Sequence, residues 1–532
     1  MRLERRVGDF LKMFHQNGGS VFTIRFSIIL FLGTMLLPAC SVQTQQRKLV
    51  KPAEAKSLDG KSPFLKAHML NGRVYVLSPW KFDAKIQTVS GPGELLGLNR
   101  EVIQKATFSL SLDSVALFET NVVRTSGAVA ALSIITGASV ALTIYCAANP
   151  KACFGSCPTF YVSDGERELL QAEGFSASVT RALEARDIDA LYRARPTSRD
   201  FKVRMTNEAL ETHVVRYVDL LLAPRPASGR VFATSGGAFW QANKIVELTR
   251  VVAPEGDCLA ALRNFDHIER FSATDSTDLA AREIIELEFA AIPEGNYGLV
   301  IASRQSLLST YLFYQALAYM GRSAGNFLAA LERQDAATRE RSRGINRVLG
   351  GIEVLARNAS GDWIVAGQTS ETGPLATDTR LVPLPYLPAG EAKIRLRLTR
   401  GYWRLDYLAL AQLGEQVTPI RLRPNVVYRG DTVDENAKQL LLDSASVLTT
   451  LPGDEYTLTY RLPKDFARYE LFLESRGYYL EWMREEWMKE ENPARAAMMF
   501  LDPQSALRAM APQFKKLEAE MEKAFWSSRY VH

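Results

Sequence analysis

The 532-residue chain predicts an α+β fold, predominantly antiparallel β, with sandwich- or jelly-roll-like regions and a helical C-terminus. Three observations predict it. Short alternations of apolar and polar residues recur between residues 64 and 462, separated by Gly-, Pro- and Asp-containing punctuation. Over 304–335 and again near the C-terminus the apolar period lengthens to three and four residues. Apolar residues make up 47% and charged residues 23%, which excludes a wholly disordered chain, a collagen and a polytopic membrane protein. At ~150 residues per domain the length suits three or four domains, or two large ones.

The first segment, 1–39, reads as a lipoprotein signal peptide. Phe26 to Leu37 is a twelve-residue apolar run preceded by Arg25 and followed by Pro38-Ala39-Cys40. A basic start, an apolar centre and a small residue before the cut define an export signal. Leu37-Pro38-Ala39-Cys40 resembles the bacterial lipobox, which implies lipidation at Cys40 and an effectively permanent acyl anchor. Residues 13–40 alone make a normal signal, so Met13 is an alternative start to Met1. Arg5-Arg6 stands one residue too far from Phe10-Leu11-Lys12 for a twin-arginine signal. Ser41 after the cut, in place of Asp, favours the outer membrane of a Gram-negative envelope over retention in the inner one. The leader also explains the charge. Overall 64 bases face 59 acids, but residues 1–39 hold five bases and two acids, leaving 59 against 57. That near-neutral remainder argues against nucleic acid as a partner.

Residues 40–57, polar and without apolar period, read as a flexible tether. Over 58–125 a small β region follows: Val74 and Val76 alternate with Tyr75 and Leu77, Phe108 and Leu110 alternate with Ser109 and Ser111, and Gly91-Pro92-Gly93 reads as the turn between them. Segment 126–150 contains Ala128–Ala148, free of charge and rich in Ala, Ser, Thr and Gly. It is long enough to cross a bilayer and too poor in Leu to insert strongly, so core burial, dipping into a membrane and spanning all stay open.

Residues 151–300 read as a β-rich domain punctuated by Pro224-Arg225-Pro226 and Ser235-Gly236-Gly237, and 301–340 as a helical connector carrying Leu307, Tyr311, Leu312 and Gln315 on one period. Residues 341–462 give the clearest alternation: Ile394, Leu396 and Leu398; Trp403, Leu405 and Tyr407; Tyr456, Leu458, Tyr460 and Leu462. One apolar and one polar face imply an antiparallel sandwich-like domain, and Gly361 through Leu410 resembles a galactose-binding-like jelly roll in pattern. The helical C-terminal region, 463–532, shows stripes at Leu480, Met483 and Trp487 and at Leu507, Met510, Phe514, Leu517, Met521 and Phe525, both read as packing faces, with Pro512 as a kink or a start.

Candidate chemistry is sparse. Gly321-Arg322-Ser323-Ala324-Gly325 has the form of a nucleophile elbow, but the residues before Ser323 read as helix and the only His after it is His532. A turn between two helices accounts for it better. Five His stand at 15, 68, 213, 267 and 532, with no H-x-x-x-H and no C-x-x-C, so no standard zinc pattern exists and no cofactor is implied. Glu208, Glu211, His213 and Asp219 share one strand, and alternation puts Glu211, His213 and Asp219 on one face; a satisfied polar pair at a sheet edge is the preferred reading. Arg429-Gly430-Asp431 is too short a match to carry weight.

The segment Cys153-Phe154-Gly155-Ser156-Cys157-Pro158-Thr159-Phe160-Tyr161, followed by Asp164-Gly165-Glu166, resembles a group of bacterial envelope lipoproteins with a C-P-x-x-Y…D-G-E segment. Arg304–Gly321 and Glu470–Trp487 resemble parts of the same group, which implies no activity and no catalytic residue. Cys153 and Cys157 are expected to form a disulfide, because an exported chain meets an oxidising compartment and Gly155 and Pro158 favour a loop in which the sulfurs can meet. Pairing of Cys146 with either one, and a metal site with Cys146 and Cys258, are the rivals.

These readings point to a lipid-anchored envelope protein whose β-rich ectodomain binds or scaffolds an envelope protein or glycan, more in keeping with a non-enzyme. The alternative is a periplasmic carbohydrate-active hydrolase using two carboxylates from distant strands, which nothing local picks out. If Cys40 carries the anchor, labelled palmitate enters the wild type and not Cys40→Ser, and the variant leaves the membrane fraction on fractionation; unlabelled Cys40→Ser that stays in the membrane refutes lipidation as the sole anchor.

Overall fold

The computed structural model describes residues 42–98, 100–126, 157–334, 344–358, 360–369, 373–483 and 485–529. Within them the chain is predominantly antiparallel β, with most of its helices toward the C-terminus. Cys40, residues 128–148, Cys146 and Cys153 lie outside. No helix among the described residues is long and apolar enough to cross a membrane.

Seven strands from Val42 to Ser126 make the first sheet. Val42–Val50 pairs along its whole length with Val115–Ser126, and Pro52–Ser57 forms a 3-10 helix. The segment read as a tether is therefore an edge strand and a turn. Its polarity misled because an edge strand needs only alternate residues inward, here Val50, with Ala55 following from the 3-10 turn. Gly91-Pro92-Gly93 lies not in a turn but inside strand Thr88–Leu96. The glycines serve close approach: a Cβ at Gly91 would stand 2.2 Å from Pro79 O, and one at Gly93 2.1 Å from Val76 O.

A sandwich-like pair of facing sheets follows, assembled from two distant stretches. One sheet pairs Asp200–Thr206 with Thr159–Ser163 and with Glu455–Arg461; in the other, Tyr469–Glu481 lies between Glu211–Pro224 and Ala185–Ala190 and pairs with both. Their inner faces meet over Val203, Met205, Val215, Val218, Leu458, Tyr460 and Leu473. The region 341–462 is thus divided: 353–417 lies in a different sheet, and only the strands from Ile420 onward complete the sandwich. Strand Tyr469–Glu481 falls where a helical region was expected, and Leu480 belongs to it, so Leu480, Met483 and Trp487 share no helix.

The stretch inserted between the sandwich halves builds an eleven-stranded curled sheet. Strand Tyr297–Gln305, which lies between Trp403–Val417 and the end strand Asp378–Pro383, is buried on both faces, and its first six residues, Tyr297–Ala302, read accordingly as an apolar run. Ile394, Leu396 and Leu398 point one way from Gly390–Thr399, as their alternation predicts. The helices pack on that face. Leu307–Met320, Gly344–Leu349, Pro493–Leu501 and Pro503–Arg529 bury Leu308, Tyr311, Leu349, Met499, Leu507, Met510 and Phe514 against it. Pro512 lies inside the last helix, not at its start. The opposite face is wet along Arg282–Ile292 and Gly390–Thr399, where Glu286 and Lys393 are exposed, but not along Trp403–Val417, whose Arg404 and Asp406 are buried with the alternating Trp403 and Leu405.

The first sheet is fastened to the sandwich by an aromatic stack. His68 lies on Trp482 with ring centroids 3.7 Å apart, and the Trp482 indole donates to Thr212 Oγ1 at 2.9 Å. Burial holds the His68 imidazole down at about 4, against the raising influence of Glu119 3.1 Å away. A depressed histidine contributes stability that is present above pH 6.5 and lost as pH falls from 6.5 toward 4. Trp482→Ala is expected to cost about 3–5 kcal/mol in urea unfolding. With its cover gone, His68 should titrate closer to 6.5 when followed by NMR; an unmoved titration would show that the stack does not bury it.

Candidate functional site

The apolar face of helix Leu307–Met320 is wider than one contact needs. Leu308, Tyr311 and Leu312 pack on the sheet, while Phe313, Ala316, Leu317 and Met320, at steps of three, one and three, turn toward a cavity. A helix apolar on most of its circumference is enclosed on most of it. Helix Ala324–Glu332 supplies Phe327 and Leu331, Gly344–Leu349 supplies Ile345, and Pro493–Leu501 supplies Met499 and Phe500. Ser176–Leu183 and Tyr479 of the sandwich close the other side. The cavity measures about 170 Å³, and among the described residues no Asp, Glu, His, Lys or Arg lines it. Its polar lining includes Ser309, Thr310 and Asn346 besides Gln305 and Tyr402. The Gln305 amide donates to Tyr402 Oη at 2.7 Å, and buried Gln305 Oε1 has no hydrogen-bond partner among the described residues.

Beside the cavity the sandwich meets the large sheet through buried charge. Glu173 is the closest to the cavity wall. Its Oε2 accepts the amides of Leu375 and Ala376 at 2.7 and 3.2 Å, and its Oε1 accepts the Cys157 thiol at 3.2 Å. Gly373, in that loop, has φ +83, and a Cβ there would stand 2.8 Å from the Glu173 carboxyl, so the loop closes on the acid only because the residue is glycine. Arg304 binds Glu269 through two nitrogens at 2.5 and 2.8 Å and donates to Pro374 O. Arg380 bridges Asp187 at 3.1 Å and Asp378 at 2.5 Å. Burial pushes Glu173 up to about 8 and Asp378 to about 6, and drives Asp189 far above the carboxylate range.

The sequence candidates fall as follows. Cys157 is buried; its amide donates to Glu211 Oε1 at 2.5 Å, and burial followed by Glu173 and Glu211 pushes its thiol well up. That is the reverse of what a reactive thiolate needs. Its expected partner Cys153 lies outside the described residues, so the disulfide stays a proposal. Glu211 and His213 do come together, Oε1 to Nε2 at 2.6 Å, and burial holds His213 at about 3. Asp219 does not join them: a bulge between Val215 and Tyr217 reverses the alternation, and Asp219 pairs outward with Arg421 at 2.7 Å. Glu208 accepts from the Tyr161 hydroxyl at 2.7 Å. Ser323 sits in the 3-10 turn joining two helices. No group of three or more metal-ligating side chains occurs among the described residues. The cavity itself was missed, because Phe313, Leu317 and Met320 carry the same spacing as core residues.

No family model and no curated protein matches the chain. Among solved structures, a GH31 alpha-xylosidase from Xanthomonas citri aligns at 7% identity with a TM-score of 0.14, over 79% of this chain and 37% of that one. The alignment spans little more than a third of the xylosidase, and at that score it carries no argument about fold or activity.

Glu173 ties stability to pH with a definite sign. Its folded value near 8 exceeds the ordinary 4.5, so between these values the native state holds a proton that the unfolded chain has released. Stability therefore falls as pH rises from 4.5 to 8, by something on the order of 3–5 kcal/mol. Glu173→Gln keeps an acceptor for the Leu375 and Ala376 amides and cannot ionise. In urea unfolding it should match the wild type at pH 5 and exceed it at pH 8.5; equal stability at both would refute the assignment.

Proposed function

We propose that the protein is a lipid-anchored envelope protein with a non-enzymatic binding role, and that its ligand site is the cavity under helix Leu307–Met320. One observation carries the reading: a cavity of about 170 Å³ with no charged side chain among the described residues that line it. A volume near 150 Å³ with such a lining holds a benzene-sized group, so the site suits one apolar segment of about six to eight carbons. Gln305 Oε1, buried and without a hydrogen-bond partner among the described residues, adds a requirement. An acceptor left open in an apolar wall favours a ligand that brings a donor, such as an amide N–H or a hydroxyl. The occupant is thus a short acyl-type chain with a neutral donor at one end. Lipidation at Cys40 and an outer-membrane address are the matching expectations for location, since they hold the ectodomain beside acyl chains. A carboxylate-pair hydrolase finds no support in this cavity, whose described lining residues include neither an acid nor a base.

Titration calorimetry with octanamide tests the reading. The wild type should bind it, octane should bind more weakly for want of the donor, and Ala316→Phe, which fills the cavity, should weaken octanamide binding at least tenfold while thermal unfolding stays cooperative. Undiminished binding by Ala316→Phe, or none by the wild type, refutes it.

A further inference from the structure

The turn that closes the cavity has a second side. Thr180 and Leu183 face the cavity, whereas Arg181 and Glu184 face an open groove of about 520 Å³ on the outer surface of the sandwich. Arg216, Tyr217, Ser444 and Arg476 complete its walls. The bulge after Val215 interrupts the register beside Arg216, and Arg476 lies directly across from Arg186 on the neighbouring strand, a like-charge juxtaposition that a sheet ordinarily avoids.

Charge in the groove does not balance. Glu184 serves two guanidiniums, Arg216 through paired contacts at 3.2 Å and Arg476 at 2.9 Å. Arg181 has no acidic partner among the described residues. The flanking charges are taken up among themselves: Arg421 pairs with Asp219 and Glu474 at 2.7 and 2.8 Å, Arg186 stands 3.9 Å from Glu474, and the Tyr217 hydroxyl donates to Glu474 at 2.8 Å. Three guanidiniums and one carboxylate therefore face the same space, an excess of two positive charges. Half-exposed Arg476, in contact with Glu184 through Nε, keeps its terminal nitrogens for another acceptor.

We infer that this groove binds the phosphate group of an anionic ligand. A guanidinium offers two parallel donors that match two phosphate oxygens, and three arranged around one space suit an anion with three or four acceptors and about two negative charges. The Ser444 hydroxyl is a further donor at the rim. A simple carboxylate, with two oxygens and one charge, would leave one of the three unsatisfied. The phosphate belongs either to a soluble phosphate ester or to a phospholipid headgroup, and the inference stands independently of what fills the cavity.

Calorimetric titration of the purified full chain with pyrophosphate decides. Arg181→Gln removes the one groove arginine that holds no acid, so it should weaken pyrophosphate at least fivefold without moving thermal unfolding. Glu184→Gln removes the competing carboxylate and should tighten binding severalfold. Monomeric dihexanoylphosphatidylglycerol that displaces pyrophosphate, where the phosphatidylcholine analogue does not, assigns the phosphate to a lipid headgroup; pyrophosphate binding without displacement assigns it to a soluble ester. Absence of pyrophosphate binding, or equal affinity of wild type and Arg181→Gln, overturns the inference.

Discussion

The pairing of Glu211–Pro224 with Tyr469–Glu481 holds the molecule in its arrangement. These strands are separated by roughly 250 residues of chain, and closing so long a loop costs about 5 kcal/mol in entropy before any contact rewards it. The register between them repays it. Inward residues Val215, Val218, Leu220 and Leu222 meet Leu471 and Leu473 in one core, and the full length of both strands is hydrogen-bonded. Once that ladder exists, everything between its strands is an insertion whose ends are fixed. The eleven-stranded sheet therefore docks on the sandwich at a set angle, and the chain leaves Tyr469–Glu481 where the last helices can reach the sheet's apolar face.

The docking explains where polarity was spent. Two sheets meeting over a purely apolar surface could slide; here Arg380 ties Asp187 of one to Asp378 of the other, and Glu173 holds the loop Leu375–Ala376 by its amides. Burying these ions is costly unless each finds partners, so the arrangement fixes position more than it adds stability. It leaves acids that prefer their protons, Glu173 and Asp189 among them, opposed by histidines that refuse theirs, His68 and His213. The two sets pull stability in opposite directions with pH, which confines the optimum to a window between them.

Against that frame the cavity and the groove share one wall. Ser176–Glu184 presents small and apolar residues inward and Arg181 and Glu184 outward. A segment of nine residues thus separates an uncharged interior from a surface with surplus positive charge. Both features exist because the segment leaves regular strand structure between Glu173 and Ala185 and so is free of the alternation that governs its neighbours.

Residue order alone determined the class of the fold and much of its local structure. Alternation at Ile394-Leu396-Leu398 and at Tyr456-Leu458-Tyr460, the turns at Pro224-Arg225-Pro226 and Ser235-Gly236-Gly237, the helices after Ser306 and the Gly321–Ser323 turn are all short-range consequences of side-chain period and backbone freedom. Composition likewise placed Leu507, Met510 and Phe514 on a buried helix face. Tertiary structure decided the rest. Which strands share a sheet is a matter of contacts hundreds of residues apart, so 341–462 divides between two sheets with no local mark at the division. Val42–Val50 became a strand because Val115–Ser126 offered it an edge, and Asp219 turned outward because one bulged residue shifted the count. The cavity's Phe313 and Leu317 carry the same apolar signature as core residues; only the failure of opposing side chains to fill the space between them makes a site, and that depends on volumes contributed by four helices and by the sandwich segments that face them.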